Sequence, residues 1–291
     1  MVGPTLSAED PFTEQRPLLL GLAYRMLGSL TDAEDVVQEA WLRWSAADRD
    51  AIFNPAAWLT TVTTRLSIDR TRTLRRRRES YVGSWLPEPV ATGAGPEQRT
   101  ELSESLTLGF LVLMDTLTPT ERAVFLLADI FAVAFADIAV AVGKSEDACR
   151  QIASRARRKV RDSEPPTVVE ADRSLLERLV SATLSGDVAQ VVGLLDPEVV
   201  WVSDGGPNRH AARRPVRGAD RVARLAINLM GRLGSTPVSE MVINSRRSLV
   251  VHAVDGLVVA QAEEREGRIS VIRVLLNPDK LSHLEAVTQL E

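Results

Sequence analysis

"FADIAVAVGKSEDACRQIASRARRKVR", Phe135–Arg161, holds two helical patterns separated by one glycine. The first is short and apolar. The second restarts at Ser145, two residues after Gly143. Two short helices joined by a tight glycine turn have helix-turn-helix spacing. On the second helix Cys149, Ile152, Ala153, Ala156 and Val160 fall on one stripe. Arg150, Ser154, Arg157 and Arg161 fall on another, with Gln151, Arg155 and Arg158 beside it. The apolar stripe predicts a buried face. The donor-rich stripe predicts a face that reaches phosphates and base edges in a major groove. A solvated basic helix in an ordinary bundle is the plainer alternative.

A second basic segment, "RLSIDRTRTLRRRRES" from Arg65 to Ser80, carries seven arginines and two acidic residues. Yet the 291-residue chain has a formal net charge of −4. Local patches therefore carry the electrostatic signal. Asp69 sits within helical reach of Arg65 and Arg72, so local ion pairs are expected there. Arg70 and the Arg75–Arg78 run are expected to remain free for phosphates. The opposite charge lies in "SLTDAEDVVQEAWLRW", where Asp32, Asp35 and Glu39 share one helix face. That face is either solvated or docks a basic protein partner.

Three start signals organise the helices. "TDAE" (Thr31–Glu34) and "TPTE" (Thr118–Glu121) have the capping-box pattern, and "NPAAW" offers Asn54 as N-cap with Pro55 at the first helical position. "GSWLPEPVATGAGPEQ", Gly83–Gln98, is too rich in Gly and Pro for a continuous helix or strand and is expected to be a linker. Helices are expected to resume near Glu101 and to end at "DSEPP". Beyond Val168 the pattern changes. Helices are expected near Ala171–Leu184, Asp187–Leu195 and Ala219–Leu233, followed by an antiparallel sheet with hairpin turns at Asp255-Gly256 and Glu266-Gly267. The expected organisation is an all-α domain (1–82), a linker (83–100), a second all-α domain with the helix-turn-helix (101–163) and an α+β domain (168–291).

The single Cys149 makes no intrachain disulfide and fits a reducing cytoplasm. "MVGPTLSAEDPF" carries carboxylates and no apolar core, so no signal peptide is expected. No apolar run approaches bilayer length, and no membrane partner is expected. The three histidines show no metal-ligand spacing, and no metal or other cofactor is expected.

"LAYRMLGSLTDAEDVVQEAWLRW" with "NPAAWLTTVTTRLSIDRTRTLRRRR" resembles region 2 of bacterial extracytoplasmic-function (ECF) sigma factors. "LMDTLTPTERAVFLLADIF", with the helix-turn-helix after it, resembles their region 4. The resemblance implies a subunit that gives RNA polymerase promoter specificity and catalyses no bond change. It implies polymerase contacts at Asp32, Asp35, Gln38 and Glu39. It implies −10 contacts at Arg65, Arg70 and Arg72, with Arg75 and Arg76 as further phosphate contacts. It implies −35 contacts at Arg150, Gln151, Ser154 and Arg155, with Arg158 beside them. Core RNA polymerase and promoter DNA are the implied partners. "EDACRQ" opens the recognition helix where many relatives have Gly-Thr-Val, so no promoter sequence transfers.

The C-terminal block resembles the SnoaL-like branch of the NTF2-like fold, a curved sheet and helices around a cone-shaped pocket. Three stretches resemble the ECF subgroup that carries this fused domain: Trp85, Leu86 and Pro87 in "WLPEP"; Asp204, Gly205 and Gly206 in "DGG"; and Asn277, Pro278, Asp279, Lys280 and Leu281 in "NPDKL". Pro207 follows "DGG" where relatives often have a third glycine. An apolar Trp85 in a Pro-rich linker suggests that the linker docks on the C-terminal domain and that the tail holds it there. That domain would then modulate the sigma factor, with an unidentified small-molecule ligand for its pocket left open. Two other classes remain: a polymerase-independent DNA-binding regulator with a ligand-sensing domain, and an enzyme using Asp204, His210, Arg213 and His252. The acidic "DAEDVVQEAW" helix favours the sigma factor over the former, since a simple repressor does not need it.

Overall fold

The computed structural model describes residues 10–92, 106–163, 169–234 and 236–288. The chain divides into two compact units. One contains Met1–Glu79 and Gly109–Glu164, the other Ser80–Leu108 and Pro165–Glu291.

The first unit is helical. Its N-terminal part comprises α1 (Pro11–Leu27), α2 (Leu30–Ala46) and α3 (Pro55–Arg78). The Asp10 side chain caps α1, and Gly28 ends that helix in the left-handed region at φ 67°. The chain is extended again at Ser29, whose side chain accepts from the Asp32 N–H at 3.2 Å. This corrects the expected Thr31 cap: Ser29 leaves α1 already extended, so α2 starts earlier and Thr31 lies inside it. Asn54 and Pro55 start α3 as expected. Leu19, Leu22, Met26, Val37, Ala40, Trp44 and Leu59 form the core between these helices.

The second part comprises α4 (Leu108–Met114), α5 (Pro119–Phe125) running into a π-helical turn (Leu126–Ile130), α6 (Phe135–Val142) and α7 (Glu146–Ser163). The resumption expected near Glu101 lies outside the described residues. Thr118 and Glu121 form the reciprocal capping box, with Pro119 first in the helix. Gly143, at φ 65°, makes the turn into α7, and Ser145 Oγ accepts from the Ala148 N–H. Cys149, Ile152, Ala153 and Ala156 are buried as the stripe predicts. Helix α3 packs on both α5 and α6, so these helices share a unit with the N-terminal part.

The second unit is α+β. Its elements are β1 (Val169–Glu170), α8 (Arg173–Ser185), α9 (Val188–Leu194), β2 (Leu195–Asp204), β3 (Val216–Arg217), α10 (Ala219–Leu233), β4 (Val238–Ile243), β5 (Arg246–Ala253), β6 (Gly256–Arg265), β7 (Arg268–Leu275) and α11 (Pro278–Thr288). The sheet runs β3-β2-β7-β6-β5-β4, with β1 on β6. It is mixed rather than antiparallel, because β2 pairs parallel with β7. A parallel pair needs a long crossover, and α10 with the three hairpin strands supplies it. Glu266 and Gly267, both at positive φ, make the β6–β7 turn as expected. At the preceding hairpin Ala253 pairs with Gly256, so the loop is Val254-Asp255, one residue earlier than expected. Leu176, Leu179, Val191, Trp201, Val222, Ala226, Val258 and Ile272 belong to one core between helices and sheet.

The segment expected to be a linker belongs to this unit. Leu86, Pro87, Glu88 and Pro89 are buried. Ala91 forms an antiparallel bridge with Ile243. Around it the Thr92 N–H donates to Val242 O at 2.9 Å and the Asn244 N–H to Val90 O at 2.8 Å. Proline excludes the segment from a central strand, but it tolerates this edge position.

Candidate functional site

The outward face of α7 presents Gln151, Ser154, Arg155 and Arg158, spaced at i, i+3, i+4 and i+7. All four are exposed, and none has a side-chain hydrogen bond or ion pair among the described residues. Arg150 is held instead. It pairs with Glu146 and lies over the Phe135 ring, 5.0 Å from its centroid. Lys159 is exposed but held, bonding both oxygens of Glu121 at 2.8 Å.

The basic end of α3 differs most from expectation. Arg72 pairs with Asp69, as the spacing predicts, and Arg76 is exposed. Arg65 does not pair with Asp69. It donates to Val140 O at 2.7 Å and Ala141 O at 3.1 Å, at the end of α6. Arg70 bonds Asp32 and reaches Asp35 at 3.5 Å. Arg75 donates to the carbonyls of Asp115 and Leu117. Arg78 lies 3.1 Å from both carboxylate oxygens of Asp115 and donates to Leu27 O at 2.7 Å. The expectation of free charge is therefore corrected for Arg70, Arg75 and Arg78, while Arg76 faces solvent as expected. A guanidinium has five donors and fits carboxylates and helix-end carbonyls wherever packing brings them near.

Asp115 also binds Arg122 at 2.8 Å. Arg122 is 1% exposed, and its Nε donates to Arg25 O. Burial lowers the Arg122 pKa to about 10, with Asp115 opposing, so the group remains charged at neutral pH.

On α2 the expected carboxylate face is reduced. Asp32 is half-buried against Arg70, and Glu39 pairs with Arg43 at 3.0 Å. Asp35 and Gln38 remain exposed. Phe53, which sequence reasoning missed, is fully exposed one residue before the α3 cap. Its only sequence signal is an aromatic in the loop "DAIFNP".

In the second unit "WLPEP", "DGG" and "NPDKL" meet at one carboxylate. Asp204 is fully buried. It accepts from the Tyr81 hydroxyl at 2.6 Å, the Leu86 N–H at 2.8 Å, Lys280 Nζ at 2.6 Å and the Gly206 N–H at 3.1 Å. Its own carbonyl accepts from the Leu276 and Asn277 N–H groups. Lys280 Nζ also donates to Leu86 O at 2.5 Å and lies 4.3 Å from the Trp85 ring centroid. Asn277 Nδ2 donates to the Tyr81 oxygen at 2.9 Å. Gly206 has φ 60°, and a Cβ there would lie 2.7 Å from the Asn277 side chain, so glycine is required twice over. Burial, then the hydrogen bond to Asp204, raises the Tyr81 pKa and keeps its hydroxyl protonated.

Two further anchors were not singled out in the sequence. Buried Asn244 accepts from the Val90 N–H at 3.0 Å and donates to Leu106 O at 2.8 Å. His283 Nε2 on α11 lies 2.5 Å from Pro89 O. Pro278, Asp279 and Leu281 start α11; Leu281 is buried, and the Asp279 N–H donates to Asn277 Oδ1.

The α+β domain also encloses an apolar chamber of about 680 Å³, counting its open mouth. Trp201, Leu176, Ala226, Leu233, Val251 and Ile272 are among its walls. The four residues named for an enzyme do not assemble there. Asp204 is occupied by four donors, His252 is exposed on β5, and His210 and Arg213 line a separate polar cavity. Among the described residues no group of three or more His, Cys, Asp or Glu side chains could hold a metal, and no helix is long and apolar enough to cross a membrane.

Comparison with known families matches residues 12–77 to Sigma-70 region 2 and residues 108–160 to Sigma-70, region 4. The ECF RNA polymerase sigma factor SigJ of Mycobacterium tuberculosis is 36% identical, covering 93% of this chain and 92% of the relative. The probable ECF RNA polymerase sigma factor SigI of the same species is 32% identical, covering 97% and 98%. The crystal structure of the Mycobacterium tuberculosis extracytoplasmic function sigma factor SigJ superposes with a TM-score of 0.73 at 35% identity, covering 93% of this chain and 97% of that one. With such identity sustained over nearly its whole length, the chain belongs to the ECF RNA polymerase sigma factors.

Proposed function

We propose that this sigma factor reads the −35 element through the outer face of α7 and docks RNA polymerase through the outer face of α2. The free donor face Gln151, Ser154, Arg155 and Arg158 carries the proposal. It lies on the second helix of a helix-turn-helix, the element that enters the major groove in such motifs. Arg72 and Arg76 face solvent and supply −10 contacts; Arg65, Arg70 and Arg75 join them only after their internal partners are released. The protein works in the cytoplasm, where buried Cys149, its pKa raised by burial, stays reduced and unreactive.

Run-off transcription with core polymerase on a candidate promoter tests this reading, with and without residues 165–291. Promoter-specific transcript supports it. Full promoter specificity without polymerase, and no transcript with it, supports a polymerase-independent regulator instead. Arg155→Ala is expected to lose about 1–3 kcal/mol of promoter affinity and to relax preference at one −35 position. Anisotropy on base-substituted duplexes checks this, and unchanged selectivity removes Arg155 from the base contacts. Asp35→Lys is expected to leave the fold intact, since exposed charges contribute little to stability, while binding to core polymerase falls. Equal recovery of polymerase by the variant in a pull-down would reject α2 as the dock.

The clamp on Asp204 makes the C-terminal domain a built-in regulator. It ties Tyr81 and Leu86 to that domain. The apolar chamber, whose walls present almost no polar atoms, holds a small-molecule ligand.

A further inference from the structure

A second cavity lies beside the apolar chamber, and Trp201 and Leu229 line both. One side of it is α10, where Leu225, Asn228, Leu229 and Arg232 recur at i, i+3, i+4 and i+7. The other side is Trp201 and Ser203 of β2 with the segment His210–Ala212. Among the described residues no carboxylate side chain lines either cavity. The polar side chains of the second cavity are Ser203, His210, Asn228 and Arg232. Arg232 is exposed and has no ion-pair partner among the described residues. Asn228 offers an amide, and Ser203 Oγ already accepts from the Ala212 N–H, which leaves its own hydrogen to donate.

We propose that the C-terminal domain binds a small amphipathic carboxylic acid, its apolar body in the chamber and its carboxylate at the mouth on Arg232. This rests on the reading of the chamber as a ligand site and names the ligand's class. The chamber walls present almost no polar atoms, so a hydrocarbon or aromatic body gains from transfer there. A charge carried into the chamber would find no partner and would cost heavily. A charge left at the mouth meets a planar fork of donors that matches a carboxylate. A cationic amphipath would meet Arg232 with the wrong sign, and a neutral one would leave Arg232 unused.

The test is isothermal titration of the full-length chain, without polymerase or DNA, using decanoate, decanol and decylamine. Decanoate is expected to bind about tenfold more tightly than decanol, as one charge-assisted hydrogen-bond pair allows. Decylamine is expected to bind most weakly. Arg232→Gln, on an exposed helix face, should bring decanoate to the level of decanol without changing decanol binding, and Arg232→Lys should restore part of the difference. The Trp201 indole N–H resonance, assigned by its loss in Trp201→Phe, should shift with decanoate. Failure of all three probes to bind rejects the chamber as a ligand site. Equal binding of decanoate and decanol, or an unchanged ratio in Arg232→Gln, overturns the acid class alone. Neither result touches promoter reading, which transcription measures separately.

Discussion

Asp204→Ala is expected to release the linker from the C-terminal domain, raising hydrogen exchange at the Leu86 amide by about a hundredfold or more. The carboxylate is fully buried and takes four donors, two of them, Tyr81 and Leu86, from the stretch 80–92. Removing it takes from the Lys280 ammonium the carboxylate it pairs with, while the Leu86 carbonyl and the Trp85 and Tyr81 rings stay beside it. Losing one partner of a buried pair costs about 3–5 kcal/mol, and each 1.4 kcal/mol is about a factor of ten. A chain of two units does not unfold in a single step, so local exchange is the cleaner measurement. Residues 80–92 should also become the first site of proteolysis. Wild-type protection at Leu86 in the variant would show that the Asn244 and His283 anchors suffice alone. Tyr81 adds a pH dependence. Its folded pKa lies above its unfolded one, so its contribution is complete below the ordinary tyrosine range and fades as pH rises through the folded value. Tyr81→Phe should remove that alkaline loosening.

Local signals were legible in the sequence and long-range partners were not. The Thr118–Glu121 box, the Asn54-Pro55 start, the Gly143 turn and the stripe on α7 each depend on residues within one or two turns. Arg65 finds its carbonyls seventy-five residues or more away, and Arg75 and Arg78 find Asp115 beyond the linker. Helical periodicity cannot reveal such partners, so a run of arginines reads as free charge. The same limit hid Asn244, whose Asn-Ser turn at positive φ lacks the usual glycine. Strand pattern is likewise blind to direction, so the parallel pairing of β2 with β7 was not legible, whereas the hairpin strands β5, β6 and β7 were. Trp85 was legible because a large apolar residue in a Pro-rich stretch requires a cover, and Lys280 supplies part of it.

Asp115→Ala is expected to loosen region 4 from α3 and so to change DNA binding. Asp115 follows α4 and gathers Arg78 from region 2 and Arg122 from α5, while its carbonyl takes Arg75. Arg122 is buried and still charged at neutral pH, so it cannot relax by losing its proton. The cost should be about 3 kcal/mol, the lower end for breaking a buried pair, because Asp115 keeps some contact with water. Asp115→Asn keeps an acceptor in place and should lose less, which provides a folded variant if alanine proves too disruptive. Arg75 and Arg78 are then able to leave their internal partners and meet phosphates. Each added phosphate contact steepens the dependence of log affinity on log salt by about 0.9, so the slope should grow by about one to two. Anisotropy on a promoter duplex across a salt series measures this directly. A variant whose region 4 loosens, as seen by exchange at the α5 amides, while its salt slope stays at the wild-type value would show that these arginines serve packing alone. A steeper slope would show that the same guanidinium groups hold the free protein closed and grip DNA once it opens.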